Sequence, residues 1–227
     1  MKTKSVQMSE SYLIGALLAV AGGFLDAYTY ILRGHVFANA QTGNIVLLAI
    51  KLSEWDFNGV VFYLIPIVAF VAGVLVAECT RKKIIMKTKL HWRQIIILLE
   101  FIIILLVAYI PKGSMNSLVN ILVAFVSSLQ VQCFRKVDGN LCATTMCTGN
   151  LRSASEGLYR FIEFKDKSAL NKSIIYFGII LFFILGAIIG SVTSNIYGVS
   201  SALFCCLLLL IVFFLMFKED YTHSGCE

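Results

Sequence analysis

Hydrophobic residues in this 227-residue chain occur in long uninterrupted runs separated by short polar segments. Six runs are long enough, or nearly so, to cross roughly 30 Å of hydrocarbon as α-helices. They are residues 12–32, 57–77, 94–110, 118–134, 173–196 and 199–217. Continuous runs favour helices over the alternating strands of a membrane barrel. The pattern therefore predicts an all-α polytopic membrane protein.

A four-residue motif occurs twice beside these runs, as QTGN at 41–44 and as CTGN at 147–150. Thr42 and Thr148 of the two copies are 106 residues apart. Such duplication in a membrane protein indicates an internal repeat, and many transport proteins use repeats with broken helices to build a site near the bilayer midplane. The motif therefore predicts where a site lies but names no substrate.

Each motif copy opens a short helical pattern. Residues 42–51 follow a polar segment and, at about 1.5 Å per residue, reach about halfway across the bilayer. We expect a re-entrant half-helix whose first Thr or Asn caps free N–H groups. Residues 148–164 carry charges at helical spacing, which predicts an amphipathic helix at the membrane surface.

Composition and charge extend this picture. The chain is 59% hydrophobic and 14% charged, and its first apolar run is too long for a signal peptide, so we expect it to remain as the first span. Basic residues mark cytoplasmic loops. Four groups of them stand out: Lys2 and Lys4; Arg81, Lys82, Lys83, Lys87, Lys89 and Arg93; Arg135, Lys136, Arg152, Arg160, Lys165, Lys167 and Lys172; and Lys218. All four groups can be cytoplasmic only with six crossings and both termini inside.

Six crossings give three spans to each half of a single membrane domain, 12–110 and 118–217, so the halves must have opposite orientations. After a seven-residue insertion, small residues at helical spacing align between them, Gly73 and Ala77 with Gly186 and Gly190. These pairs predict equivalent close helix packing. The predicted fold class is six transmembrane helices in two inverted three-helix repeats, each with a broken or re-entrant segment.

Asp26 is the ionisable residue of the first run, and the 106-residue shift aligns it with Gln132. A carboxylate within hydrocarbon is costly, so Asp26 should face the protein interior or water, or become protonated. Two interpretations remain open. Asp26 contacts a solute or proton, or it makes a structural hydrogen bond to the broken segment after Gly34.

The candidate substrate-pathway residues are the polar and glycine positions near the two motifs. They are Asp26, Asn39, Thr42, Gly43, Asn44, Gln130, Thr145, Thr148, Gly149 and Asn150. Ordinary helix capping and tight packing would explain the motifs equally well, since broken membrane helices need buried partners whatever their function.

Glu100 interrupts an otherwise apolar run and has no acidic counterpart, because Phe213 occupies the aligned position. It is either a proton-coupling group or a protonated contact between helices or between the subunits of a homo-oligomer. We favour the contact.

Other chemistries are disfavoured. The seven cysteines lack a Cys-x-x-Cys spacing, the three histidines are scattered, and no nucleophile with an evident base emerges. We therefore expect no metal, no cofactor and no enzymatic activity. The net charge of +6 follows from the cytoplasmic loops and suggests contact with anionic membrane lipids, with no case for nucleic acid.

Two segments carry a family resemblance. They are residues 22–30 with Gly34, Val36, Phe37, Asn39 and 42–44, and Gln130, Arg135, 144–146 and 148–150. They resemble the YoaK family of bacterial six-helix membrane proteins, a domain family of unknown function. The resemblance covers almost the whole chain and implies a bacterial inner or plasma membrane location without an established activity.

The sequence favours a transporter or channel for a small solute of unknown identity. No nucleotide-binding loop is present, so ATP-driven work by this chain alone is not expected. The alternative is a nontransport scaffold or accessory subunit that binds another membrane protein or a lipid.

Overall fold

The computed structural model describes residues 8–84 and 92–217. The helices within these residues are α1 (Tyr12–Leu32), α2 (Gln41–Ser53), α3 (Phe57–Ile84), α4 (Trp92–Val107), α5 (Asn116–Cys133), α6 (Cys147–Phe164), α7 (Lys167–Tyr197) and α8 (Ala202–Phe217). Short 3₁₀ turns precede α1 (Met8–Glu10) and α8 (Gly198–Ser201). The predicted all-α class is confirmed, and α2 and α6 are the two predicted short helices. Five of the basic residues used to predict the orientation lie outside the described residues: Lys2, Lys4, Lys87, Lys89 and Lys218.

Membrane-spanning character is clear in four stretches of the described chain. Tyr12–Leu32, Phe57–Arg81, Asn116–Cys133 and Lys167–Phe217 are each long and apolar enough to cross a membrane. The last stretch contains α7 and α8, separated by the turn at Gly198–Ser201. Helix α4 has 16 residues, fewer than a typical span needs. The chain is therefore a multi-pass membrane protein, while six crossings remain a prediction.

A β-hairpin follows α5, which the apolar pattern did not predict. Helix α5 ends at Cys133, and Lys136–Val137 then pairs antiparallel with Asn140–Leu141. Asp138 and Gly139 at its tip both have positive φ, 47° and 76°, which is the backbone of a type I′ turn. This turn chemistry in a short polar segment is the signal that hydropathy alone misses.

Two pairs of helices pack most extensively, α1 with α7 and α3 with α5. Glycines allow the close approach. A side-chain carbon on Gly190 would lie 2.7 Å from the carbonyl oxygen of Phe24, and one on Gly73 would lie 2.6 Å from that of Phe125. Gly186 likewise sits against the backbone of Val20. The predicted close packing is thus found at Gly73, Gly186 and Gly190.

The remaining helices complete the bundle around these pairs. Helix α2 packs on α3, α6 packs on α7, and α4 lies against α5 and α8. The main apolar core is shared by α1, α4, α5 and α8. Short helix α6 buries Asn150, Ala154 and Gly157, while its Arg152 and Glu156 are exposed.

Contacts between residues near the helix ends show which helix ends lie together at each end of the bundle. At one end, Arg93 at the start of α4 pairs with Glu10 at 2.9 Å, and the N–H of Asp138 after α5 donates to the Glu10 carbonyl oxygen at 2.7 Å. At the other end, Arg33 after α1 donates to the carbonyl oxygen of Pro111 after α4 at 3.0 Å and to Oδ1 of Asn116 at the start of α5 at 3.5 Å. Helices α1 and α4 therefore run in one direction, and α5 runs in the opposite direction.

Helices α3 and α7 carry large apolar side chains on their outer faces. Exposed ones include Val68 and Leu75 on α3 and Leu181 and Ile188 on α7, at 53 to 61% exposure. Exposed apolar faces of this extent suit contact with lipid chains.

Candidate functional site

The starts of α2 and α6 face a common cavity of about 770 Å³. Its wall is formed by the second half of α1, by residues 39–42 before and within α2, and by residues 145–149 before and within α6. Helices α3, α5 and α7 add Phe70, Val131 and Phe183. Residues of both motif copies therefore line the same cavity.

Six of the predicted pathway residues line this cavity, and four do not. The six are Asp26, Asn39, Thr42, Thr145, Thr148 and Gly149. The four are Gly43, Asn44, Gln130 and Asn150. The asparagine of each motif thus lies behind the cavity wall, whereas the threonine faces the cavity.

Asp26 is buried, with 5% of its surface exposed, and its Oδ1 accepts a hydrogen bond from the backbone N–H of Asn39 at 2.8 Å. This bond joins α1 to the loop just before α2. A structural hydrogen bond from Asp26 to the segment after Gly34 was one of the two interpretations from the sequence, and this bond matches it. Because Asp26 also lines the cavity, the bond does not exclude a role toward a solute.

The expected capping by Thr or Asn is wrong. The N-cap residues are Ala40 for α2 and Met146 for α6, and neither helix has a side-chain capping hydrogen bond. Their backbone angles nearly coincide, φ −92° and ψ 78° at Ala40 against φ −97° and ψ 72° at Met146. The two half-helices therefore begin with the same backbone geometry and leave N–H groups for other partners.

Asn44 and Asn150 hold the loops that precede the short helices. Asn44 donates from Nδ2 to the carbonyl oxygen of Phe37 at 2.7 Å and accepts from the Phe37 N–H at 3.2 Å. Asn150 donates to the carbonyl oxygen of Ala143 at 2.8 Å, and its Oδ1 lies 3.5 Å from the Cys142 thiol. The roles found for both residues are therefore structural rather than contacts with the cavity.

Asn39 and Thr145 occupy equivalent positions before the two half-helices, since they are 106 residues apart. Asn39 donates from Nδ2 to the carbonyl oxygen of Gly22 at 2.9 Å, while its buried Oδ1 has no partner among the described residues. Thr145 is 5% exposed, its Oγ1 likewise bonds to no described residue, and its methyl group lies against Gly22. Both residues line the cavity, and each carries a buried oxygen atom with no hydrogen-bond partner among the described residues.

The two motif glycines have different surroundings. A side-chain carbon on Gly43 would lie 3.1 Å from the ring of Phe37, whereas one on Gly149 would meet no atom within 4 Å. The equivalent of Phe37 in the second half is Ala143, a much smaller residue. The cavity therefore extends toward the start of α6.

Gln130 and Gln132, both on α5, face different partners. Gln130 is buried and donates from Nε2 to the carbonyl oxygen of Leu18 at 3.2 Å, which ties α5 to α1. Gln132 donates to Glu78 of α3, which in turn lies 3.9 Å from Arg81. The sequence had not singled out Glu78, because the alignment of the halves paired Gln132 with Asp26 rather than with a residue of α3.

Glu100 lies outside the cavity. It is fully buried in α4, and neither carboxyl oxygen has a hydrogen-bond partner in the described part of the chain. Its helix packs on α8, where the Cys206 thiol lies 4.0 Å from the Phe101 carbonyl oxygen. Its burial within one chain leaves no surface for a contact between subunits, whereas the interhelical contact and the proton-coupling role both stay predictions.

Arg33 is a buried charged residue that sequence reasoning missed. Its guanidinium is fully buried and donates to the carbonyl oxygen of Ile110 at 2.8 Å and to the Tyr28 hydroxyl at 2.7 Å. It also donates to the carbonyl oxygens of Pro111 and, at 3.5 Å, Val107. Arg33 thereby satisfies the free carbonyl groups at the C-terminal end of α4. The feature of the sequence that could have drawn attention to Arg33 was its position directly before Gly34.

The described residues offer no group of three His, Cys, Asp or Glu side chains that could hold a metal ion. Cys79, Cys133, Cys142, Cys147, Cys205 and Cys206 are free thiols, and Cys226 lies outside the described residues. Of these, Cys147 lines the cavity.

Comparison with known proteins gives two matches. The family described as "Protein of unknown function (DUF1275)" matches residues 14–216. The chain is also 27% identical over 182 residues to the UPF0700 transmembrane protein YoaK of Bacillus subtilis (strain 168), covering 77% of this chain and 80% of that protein. No solved structure matches. The YoaK-like resemblance predicted from the two motif regions is confirmed.

Proposed function

Because this chain belongs to the DUF1275 family of proteins of unknown function, we propose its function from the cavity: it carries a small solute across the membrane as a transporter or channel. The observation that carries the proposal is that both half-helix starts and the buried Asp26 line one cavity. Broken helices that meet in this way form the substrate site of many transporters.

An inverted repeat of residues 12–110 and 118–217 is part of this proposal. In such a repeat, α1, α2 and α3 correspond to α5, α6 and α7. The contact between α1 and α7 then corresponds to that between α5 and α3, and the packing of α2 on α3 corresponds to that of α6 on α7. Asp138 after α5 contacts Glu10 before α1, whereas Arg33 after α1 contacts Asn116 at the start of α5, so equivalent helices run in opposite directions. These relations support two inverted halves around a shared site.

Orientation follows from charge. We place both termini in the cytoplasm of a bacterial cell, because Arg93 and Arg135 lie at the end of the bundle where α1 begins. Membrane lipids are then the surrounding partners, and anionic headgroups would contact the basic loops. We propose no enzymatic activity and no nucleic-acid partner.

A cavity-filling variant tests transport. Gly149→Trp places a large side chain where the space beside Gly149 is open, and Leu151→Trp on the same helix is the matched control, because Leu151 is 51% exposed and does not line the cavity. Both variants and the parent would be reconstituted in liposomes. Stopped-flow light scattering then measures entry of a panel of small neutral, cationic and anionic solutes.

We expect at least one solute to enter parent liposomes faster than protein-free ones, with Gly149→Trp abolishing the difference and Leu151→Trp retaining it. Protein-dependent entry that persists in Gly149→Trp contradicts the pathway. Absence of any protein-dependent entry, together with a membrane protein or lipid that copurifies stably, favours the scaffold or accessory role.

A further inference from the structure

We infer that the cavity binds an amine in its protonated form, attached to an apolar, aromatic-compatible body. This inference rests on the proposed function and names the class of solute. The ammonium group would lie at Asp26, Asn39 and Thr145, and the body would lie along the apolar wall.

Three oxygen-bearing side chains converge on one part of α1. Gly22 and Asp26 are one helical turn apart and share a face of the helix. Asn39 bonds to both of them, through Nδ2 to the Gly22 carbonyl oxygen and through its backbone N–H to Asp26. Thr145 from the other half contacts Gly22. The side chains of Asp26, Asn39 and Thr145 therefore lie beside the same turn of α1, and all three residues line the cavity.

Two of these side chains carry an oxygen that bonds to no residue in the described part of the chain. Oδ1 of Asn39 and Oγ1 of Thr145 are buried, at 6% and 5% residue exposure, and neither takes part in a hydrogen bond with a described residue. Buried polar atoms normally have partners, and each exception calls for a ligand, a water or a functional reason. Here the two residues that carry these oxygens line a cavity large enough for a small organic molecule.

The charge of the wall favours a cation. Asp26 is its acidic residue, and no Lys, Arg or His is among the described residues that line it. No described ion pair includes Asp26. The starts of two helices would by themselves favour an anion, but the Asp26 carboxyl already occupies the Asn39 N–H beside α2.

The rest of the wall selects an organic cation over a hydrated metal ion. The lining is mostly apolar and includes Phe37, Phe70 and Phe183. Tyr30 stacks on Phe37 with ring centroids 4.8 Å apart. Aromatic faces attract ammonium groups, and an ammonium offers three N–H donors to match the three oxygen groups.

Binding by the purified full chain tests the inference with three probes that share a phenylalkyl body. Phenethylamine is protonated at neutral pH, phenethyl alcohol is neutral and hydrocinnamate is an anion. Isothermal titration calorimetry in detergent should give a Kd for the amine at least about tenfold below that for the alcohol, with the acid weakest. Asp26→Asn should raise the amine Kd by about tenfold and remove the preference over the alcohol.

Glu163→Gln is the matched control, because Glu163 is an exposed carboxyl on α6, and it should leave all three affinities unchanged. Thr145→Val keeps the side-chain shape and removes only the hydroxyl, so it should weaken the amine severalfold even if Asp26→Asn folds poorly. Equal affinity for amine and alcohol, amine binding unchanged in Asp26→Asn, or no binding of any probe would each overturn the inference.

The liposome assay separates this inference from the proposed function. Entry of neutral or anionic solutes that Gly149→Trp blocks, without amine binding, leaves transport standing and removes the amine assignment. Selective amine binding that Asp26→Asn abolishes, without entry of any solute, supports the site and removes transport.

Discussion

Asn150 donates its side-chain amide to the carbonyl oxygen of Ala143, seven residues earlier, at 2.8 Å. Asn44 in the first half makes the same bond to Phe37 at 2.7 Å, over the same separation. Each asparagine therefore holds the incoming loop against the first turn of its short helix. The conserved spacing inside the chain reflects a repeated structural unit around the cavity.

These bonds predict that Asn44→Ala and Asn150→Ala lower the free energy of unfolding, each by about 0.5–1.5 kcal/mol, because partly buried backbone carbonyl groups each lose a hydrogen bond. Asn44→Ala should cost more, since Asn44 also bonds to Gln41 at 3.0 Å. Thermal or denaturant unfolding in detergent measures the change. Asn195→Ala is the control, because exposed Asn195 bonds only to Ser191 on its own helix. Equal effects in all three variants would contradict the role of Asn44 and Asn150 in holding the loops before the two short helices.

Arg33 should be essential for stability. Arg33→Met would leave several carbonyl groups at the end of α4 without a donor and should lower the free energy of unfolding by about 3 kcal/mol. Arg33→Lys should recover only part of this loss, because a single ammonium cannot reproduce the planar fork that contacts Pro111 through Nη1 and Ile110 through Nη2. Exposed Arg152→Met on α6 provides the comparison. If Arg33→Lys matches the parent, only the charge of Arg33 matters.

The space around each glycine predicts different effects for two glycine-to-alanine substitutions, one between α1 and α7 and one at the start of α6. Gly186→Ala would force a carbon into the backbone of Val20 and should destabilise the protein by about 1–3 kcal/mol. Gly149→Ala meets no atom within 4 Å, so its stability should stay the same or rise slightly. Unfolding midpoints in detergent compare them directly. A tolerated Gly186→Ala would mean that the two helices can move apart.

Much of this fold could be predicted from hydropathy, because each apolar run forms one helix and each motif begins one short helix. Six of the ten candidate residues line the cavity, and their role toward a solute stays a prediction. What it missed depends on contacts between distant residues. The Arg33 bonds to Ile110 and the Glu78 contact with Gln132 span 77 and 54 residues, so no local pattern reveals them. The structural role of Asn44 and Asn150 was missed because polar residues near broken helices fit structural and pathway roles equally well.

Topology can be tested with single cysteines in a background without the seven native ones. Cysteines at Asn58 and Ser114 should react with an impermeant maleimide added to intact cells, whereas one at Lys167 should react only after permeabilisation, as the charge distribution predicts. All three positions are exposed. Labelling of position 167 in intact cells would reverse the orientation. Protection of position 58 or 114 would contradict six crossings.

Asp26 allows structure and function to be separated. Its Oδ1 accepts the Asn39 N–H at 2.8 Å, and an asparagine oxygen can accept the same bond. Asp26→Asn should therefore change the free energy of unfolding by less than about 1 kcal/mol, whereas Asp26→Leu leaves that N–H buried without a partner and should cost about 1–3 kcal/mol. Unfolding in detergent measures both variants, and solute entry into liposomes is measured on Asp26→Asn. A stable Asp26→Asn with lost entry assigns the carboxyl to the solute pathway. If it keeps both stability and parental entry, Asp26 serves only to hold the loop before α2.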